Sequence, residues 1–277
     1  MLRERVSDEV YIFTSEVYAQ VTSGVVIGPE WAVLIDTLAF PVETLEIKDF
    51  IENRLGTRVR YVVQTHYHAD HTNGTCFFPG AEVVAHRLCR ERLDTVGRKG
   101  LARAKELSPE LARLEVVLPA VLLANGPLQL HLGKKTLQLF PTPGHSPDSI
   151  SALLKEDRIL FAGDMMMPLP YLVDGDMDDM IRSLQCIPTM GLENVVQGHG
   201  EVILRGEIDE AVKSNLKYLD NLRRKVGSVV KRKKPREAVR NIAIESCGKS
   251  RIPLNGLVSQ LHLANCLALY DRLAVSG

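Results

Sequence analysis

Positions 65 to 71 read Thr65-His66-Tyr67-His68-Ala69-Asp70-His71, three imidazoles and a carboxylate in close succession. At the end of an extended strand, side chains two residues apart point the same way, so His66 and His68 can grip one ion together. If the chain then turns, Asp70 and His71 face a second ion beside it. Neutral imidazole nitrogen and carboxylate oxygen are suitable ligands for Zn²⁺ or Fe²⁺. Later segments could complete the site. Thr142-Pro143-Gly144-His145-Ser146 places a histidine just after a strand, in a turn where backbone can approach a metal. Gly198-His199-Gly200 does the same after Val195-Val196, and Phe161-Ala162-Gly163-Asp164 delivers a carboxylate from an apolar strand end. Successive strand ends that each finish in a ligand-type residue predict a single site at one rim of a sheet sandwich.

The elements that must hold these residues are readable from periodicity. Val10–Phe13, Val17–Val21, Val25–Ile27 and Trp31–Ile35, punctuated by Gly24 and Gly28-Pro29, predict a β-meander. Pro41 opens a helix carrying Val42, Leu45, Phe50 and Leu55, and Gly56 ends it. Val59–Gln64 is a strand that runs into the histidine cluster, and Glu82–Ala85 is another. Arg87–Leu114 reads as largely helical. Leu128–Leu132 and Thr136–Phe140 flank Gly133-Lys134 as a hairpin. Ser149–Leu154, Arg158–Ala162 and Val195-Val196 are further strands, and Met177, Met180, Ile181, Leu184 and Ile187 have helical spacing. Beyond residue 206, Ile208, Val212, Leu216, Leu219, Leu222 and Val226 mark a long amphipathic helix, and Leu254, Leu257, Val258, Leu261 and Ala268 a last one. The pattern predicts a layered α/β (α+β) domain over 1–206 and a helical extension over 207–277. The extension should pack on the sandwich near the metal rim, because it follows His199.

Composition excludes several classes. Lys plus Arg and Asp plus Glu are both 34 in 277 residues, a balance that argues against nucleic-acid and membrane-surface partners. Hydrophobic residues at 45% and charged residues at 25% are ordinary for a globular chain. No run of about 18 apolar residues predicts a membrane span. The charged start, Met1 to Glu9, lacks the apolar core of a signal peptide. The five scattered cysteines fit reduced thiols, so a cytoplasmic location is expected. The expected partner is a small-molecule substrate, and a homodimer is compatible with the sequence.

Other polar residues have plainer readings. Asp36 supports the site from outside or, the better reading, caps a helix. His86 reads as a cap or surface group, His131 as solvated, His262 as packing or surface. Tyr67 should face away from the ligands, and Lys231–Lys234 is a solvated helix end. Met165–Leu172 differs, because it is apolar, follows Asp164 directly and contains two prolines. It reads either as loop packing or as a wall of the substrate pocket, with Met167, Tyr171 and Leu172 as the lining.

His66-Tyr67-His68-Ala69-Asp70-His71, Pro143-Gly144-His145, Gly163-Asp164 and Gly198-His199, together with Leu34-Ile35-Asp36-Thr37, resemble the metallo-β-lactamase superfamily over roughly residues 8–205. The resemblance implies a four-layer αββα sandwich with two divalent ions between the sheets, zinc first, with iron or manganese as alternatives. It implies that His66, His68 and His145 bind one ion, that Asp70, His71 and His199 bind the other, and that Asp164 bridges them. Water shared by such ions ionises near neutral pH and can attack a carbonyl or phosphoryl centre, with Asp70 as the catalytic orienting group and proton acceptor. True β-lactamases of this superfamily lack a bridging aspartate at this position, and flavo-diiron proteins carry Glu in place of His68. Glyoxalase II-like thioesterases and lactonases look more similar. The expected activity is hydrolysis of an ester, thioester or lactone. The alternatives are a mononuclear-iron persulfide dioxygenase, or a β-lactamase or phosphodiesterase as main or side activity.

Overall fold

Strand β4 in the computed structural model, which describes residues 1–124 and 126–275, shows why the chain layers as it does. The four residues Ala32–Ile35 are all buried. Successive side chains of a strand point to opposite faces. Val33 and Ile35 therefore join the apolar cluster between two sheets, while Ala32 and Leu34 pack outward with Ile47 and Ile51. β4 lies in a sheet whose order follows the chain: β1 (Leu2–Ser7), β2 (Val10–Thr14), β3 (Thr22–Ile27), β4, β5 (Val59–Val63), β6 (Glu82–His86) and β7 (Val121–Leu123). β1 to β4 pair antiparallel, and β4 to β7 pair parallel. Helices α1 (Pro41–Asp49), α2 (Ala69–Thr72), α3 (Arg87–Arg92) and α4 (Arg98–Leu107) fall within the chain segment that builds this sheet. Ile47 of α1 and Leu101 of α4 cover its outer face.

The second sheet holds β8 (Leu128–Leu132), β9 (Lys135–Pro141), β10 (Ile150–Leu154), β11 (Ile159–Gly163), β12 (Asn194–Gln197) and β13 (Ile203–Leu204), in the order β13-β12-β11-β10-β9-β8. Its pairs are antiparallel except β11 with β12. β11 repeats the logic of β4. Ile159 and Phe161 fill the space between sheets, and Leu160 and Ala162 meet α5 (Met177–Cys186) and α6 (Ile208–Lys231) on the outer side. α7 (Val258–Val275) adds Val258, Cys266 and Leu269 to the same outer cluster. The result is an α/β sandwich with helices on both outer faces and C-terminal helices over the second. At Gly24 the sheets come close enough that a Cβ would stand 2.3 Å from Phe161 Cε1.

Two segments depart from the periodicity. Leu2–Ser7, which carries no apolar alternation, forms edge strand β1; its charges are what an exposed edge tolerates. Arg3 also lies over the Phe50 ring at 4.3 Å. Val17–Val21 is not a strand. The Ser15 hydroxyl accepts from the Val17 and Tyr18 amides and pulls the chain into a loop, where Ala19 and Gln20 adopt left-handed φ of 48° and 51°.

The sheets meet at one rim. The Ile150 amide donates to the Thr65 carbonyl at 2.8 Å, and the Thr22 amide to the Gly198 carbonyl at 2.9 Å. No helix among the described residues is long and apolar enough to cross a membrane.

Candidate metal centre

The chain leaves β5 through Gln64 and Thr65 and at once presents His66 and His68; His68 opens the short helix α2, which turns Asp70 and His71 back toward the same rim. His145 follows β9, Asp164 follows β11 directly, and His199 follows β12. All seven residues singled out by the sequence meet there, in two groups: His66, His68, His145 and Asp164, and Asp70, His71 and His199. Asp164 lies between them. Its Oδ2 is 3.3 Å from His145 Nε2 and 3.8 Å from His66 Nε2, while its Oδ1 is 3.2 Å from His71 Nε2 and 3.4 Å from His199 Nε2. Asp70 Oδ2 stands 3.3 Å from His199 Nε2 and 3.8 Å from His71 Nε2. These separations match the roughly 3.3 Å between two ligands held about 2.0–2.1 Å from one tetrahedral ion.

Hydrogen bonds on the far side of each ring fix which nitrogen faces inward. His66 Nδ1 bonds to Thr65 Oγ1 at 3.1 Å, His68 Nε2 to Asp174 Oδ2 at 2.9 Å, and His145 Nδ1 to the Tyr171 carbonyl at 2.9 Å. The Thr65 hydroxyl donates to Asp36 Oδ2, so it accepts from His66. Each of these rings spends its proton outward. The lone pairs of His66 Nε2 and His145 Nε2 then face that of His68 Nδ1 at 3.0 and 2.9 Å. Three converging lone pairs repel one another unless a cation sits among them. In the second group, His71 Nδ1 donates to Asp36 Oδ2 at 2.8 Å and His199 Nδ1 to the Ala19 carbonyl at 2.9 Å. His71 Nε2 and Asp164 Oδ1 are left buried without a hydrogen-bond partner. Orphaned buried groups of this kind call for an ion. The residues therefore fit a divalent metal centre, with the outward hydrogen bonds that orient metal-binding histidines.

The protein's own charges tell the same story. Burial holds His66 well below the usual imidazole range and His145 at about 4, so both offer free lone pairs. At His71 and His199 burial is outweighed, chiefly by Asp164. His71 is pushed well above its ordinary value and His199 to about 10. Positive charge is wanted at those two nitrogens, as a proton or as a metal ion. Burial would raise Asp70 and Asp164, yet both are held well below the carboxylate range, Asp70 mainly by His71 and Asp164 mainly by His199.

The other polar residues fall on both sides of the sequence reading: Asp36 and Tyr67 depart from it, and the rest follow it. Asp36 caps no helix: it lies 3% exposed in a left-handed turn with φ 58°, and takes the Thr65 amide, the Thr65 hydroxyl and His71. One carboxylate thereby orients a ring in each group. Tyr67 does not turn wholly away, since its hydroxyl donates at 2.7 Å to the same Asp174 oxygen that holds His68. His86 caps α3, accepting from the Leu88 amide. His262 is buried rather than on the surface, bonded to Tyr218 and the Ile242 carbonyl. His131 and Lys231–Lys234 are exposed.

A cavity of about 310 Å³ opens over the cluster, floored by His68, Asp70, His145, Asp164 and His199. Met167 and Tyr171 line it, as do Tyr18, Ala19, Leu254, Leu257 and Leu261. Leu172 does not. Its amide is tied to Asn265 Oδ1 at 2.8 Å, which turns the side chain into the core beneath α7, 2% exposed. Asp174 was missed by local patterning, and the contacts of Asp36 and of the C-terminal leucines with the site are not visible to it, because they depend on partners far away in sequence.

A family model described as the metallo-beta-lactamase superfamily matches residues 18–226. Among curated relatives, the Beta-lactamase-like protein 2 homolog of Caenorhabditis elegans is 26% identical over 188 residues, covering 68% of this chain and 56% of that protein. The Atrochrysone carboxyl ACP thioesterase of Aspergillus fumigatus is 25% identical over 221 residues, covering 78% of this chain and 57% of that one. The chain spans about half the length of the curated relatives it matches. Among solved structures, the sec-alkylsulfatase Pisa1 from a Pseudomonas species superposes with TM-score 0.76 at 16% identity, over 98% of this chain and 50% of that one, a likeness of fold.

Proposed function

The chain belongs to the metallo-β-lactamase superfamily, a superfamily of metal-dependent hydrolases, and on that premise we propose that it hydrolyses an ester, thioester or lactone. The observation that carries the reading is Asp164, with one carboxylate oxygen toward each group of histidines. His66, His68 and His145 would hold one divalent ion, and Asp70, His71 and His199 a second, with Asp164 shared. The donor set has nitrogen and oxygen but no thiolate, which suits zinc first and also iron or manganese. Such ions, when bound, supply Lewis acidity and water that ionises near neutral pH.

The chain's own residues supply the rest. Asp70 is 18% exposed where His71 is sealed, so it is the floor carboxylate best placed to orient a water and take its proton. His68 and His145 are locked in direction by Asp174 and the Tyr171 carbonyl, which fixes where the reacting carbonyl must sit. Met167, Leu254, Leu257 and Leu261 exclude water from the wall. No lysine or arginine lines this cavity among the described residues, which favours a carbonyl substrate over a phosphodiester. The thioesterase among the relatives points the same way. We read residues 1–206 as the reacting sandwich and 207–277 as an extension that completes its pocket.

The test is metal analysis with a screen of lactone, thioester, phosphodiester and β-lactam substrates on one preparation, with oxygen uptake monitored. Two equivalents of metal with carbonyl turnover are expected. One equivalent of iron with oxygen consumption would replace this reading by a dioxygenase.

A further inference from the structure

Resting on that hydrolytic reading, we propose that the pocket takes an uncharged, apolar acyl group of about ten non-hydrogen atoms, its reacting carbonyl included, and that Leu254 sets its length. The volume gives the size: about 310 Å³, at roughly 30 Å³ per water-sized group, holds about ten such groups. The lining gives the chemistry. Carboxylates and imidazoles are confined to the floor, and the C-terminal side is three leucines, so a charged body would be desolvated there without a charged partner.

The backbone singles out Leu254. It has φ 54°, followed by Asn255 at 54° and Gly256 at 87°, a left-handed run. Such a conformation is unfavourable for an ordinary residue and persists only where the surroundings impose it. The other strained run on the cavity, Ala19-Gln20, has a reason in the metal centre: the Ala19 carbonyl receives His199 Nδ1–H, and the Gln20 carbonyl receives the Gly200 amide. The Leu254 run makes no hydrogen bond to any candidate ligand. Its bonds are local, from the Gly256 amide to the Ile252 and Pro253 carbonyls and from the Leu257 amide to Leu254. What the strained run does achieve is to bring a leucine side chain, 3% exposed, into the lining that Tyr18 and Ala19 share. Leu257 and Leu261 follow at helical spacing and continue that wall. The pocket is thus lined by two segments from opposite ends of the chain, and Leu254 lines both it and a neighbouring cavity of about 470 Å³, so shortening that side chain extends the pocket.

The experiment is a straight-chain acyl series, from acetyl to tetradecanoyl on one leaving group, with the metal-loaded full chain. Wild type should peak near octanoyl. Leu254→Ala opens the wall, and Leu254→Gly opens it while also accepting the left-handed backbone, so the second variant guards against misfolding of the first. Both should retain bound metal and raise the ratio of kcat/KM for dodecanoyl over butanoyl at least tenfold; Leu254→Phe should lower it. A second readout needs no turnover: binding of octanoate and dodecanoate by calorimetry. Wild type should prefer octanoate, and Leu254→Gly should prefer dodecanoate. An unchanged chain-length profile in a folded, metal-loaded Leu254→Gly, or equal fatty-carboxylate preference in both proteins, overturns the proposal. No acyl turnover in wild type, with the carboxylate preference still switched, sinks the hydrolytic reading and leaves the pocket assignment standing.

Discussion

Replacing Asp36 by Asn removes one charge and almost no volume from a residue that touches neither group of the cluster through a coordinating atom. Asn tolerates the left-handed region better than most residues, so the φ of 58° adds little strain, which an alanine would confound. The amide oxygen can keep the Thr65 amide, bonded to Oδ1 at 2.8 Å. The amide nitrogen then replaces Oδ2, which accepts from both Thr65 Oγ1 at 2.7 Å and His71 Nδ1 at 2.8 Å. Two donors would meet a third. The Thr65 hydroxyl can rotate to accept, but the His71 ring cannot without losing its aim. A hydrogen bond to a charged group is worth about 1.5–3 kcal/mol, roughly one to two decades in an equilibrium constant. Supporting carboxylates of metal-binding histidines cost about 10–100-fold in affinity when mutated. Asp36→Asn should therefore weaken metal binding about 10–100-fold, more at the Asp70-His71-His199 group than at the other, with the apo fold intact by circular dichroism. The assay is competition with a chromophoric chelator under graded zinc. Affinity within threefold of wild type at both steps would refute the idea that Asp36 aims His71.

Asp164→Ala should cost at least one equivalent of metal and most turnover while the apolar sandwich stays folded; elemental analysis that finds both ions retained contradicts the shared-carboxylate reading. At Gly198 an added Cβ would lie 1.9 Å from Asp164 Oδ1, so Gly198→Ala should displace that carboxylate and lower metal content, with Gly206→Ala, where nothing lies within 4 Å, as the harmless control. Chelation of an ion present at 100 times its Kd removes about 2.7 kcal/mol, which should lower Tm by roughly 5–10 °C; an identical melt with and without chelator argues against tight binding. Burial holds the Lys249 ammonium at about 8 against the ordinary 10.5, so between those values the unfolded chain binds more protons and stability should rise with pH. Lys249→Met should remove that rise by on the order of 1–3 kcal/mol in urea titrations at pH 7.5 and 10, and an equal slope in both proteins would show Lys249 titrates normally.

The legible part of the site was the part written locally. His66 and His68 are two apart at a strand end, and Asp70 and His71 follow within one turn, so spacing alone groups them. His145, Asp164 and His199 were legible because each closes an apolar strand. What spacing could not show was support from across the fold. Asp36 looked like a cap because Pro41 begins a helix soon after it, yet its oxygens point at the neighbouring strand end. Asp174 sits in a loop with no periodicity at all. Leu172 was placed in the lining because its loop follows Asp164, but a loop with two prolines has no fixed period to say which side chains face the pocket; alternation failed for Val17–Val21, where one serine hydroxyl diverts the backbone. The two sheets and their helices were readable because β4 and β11 carry apolar residues at every position, the mark of strands covered on both sides.

The stitching of the rim bears on when each group of candidate ligands is complete during synthesis. His66, His68, His145 and Asp164 have all been translated by residue 164, whereas the second group waits for His199. At about 5–20 residues per second, the ribosome adds the intervening stretch in roughly two to seven seconds. β12, which carries His199, pairs parallel to β11, and Gly198 then joins Thr22 of the other sheet. The nascent chain thus has the four donors of one group in hand early, and completes the other only as β12 docks. If both groups hold ions, as proposed, the order in which they are completed sets an order of loading.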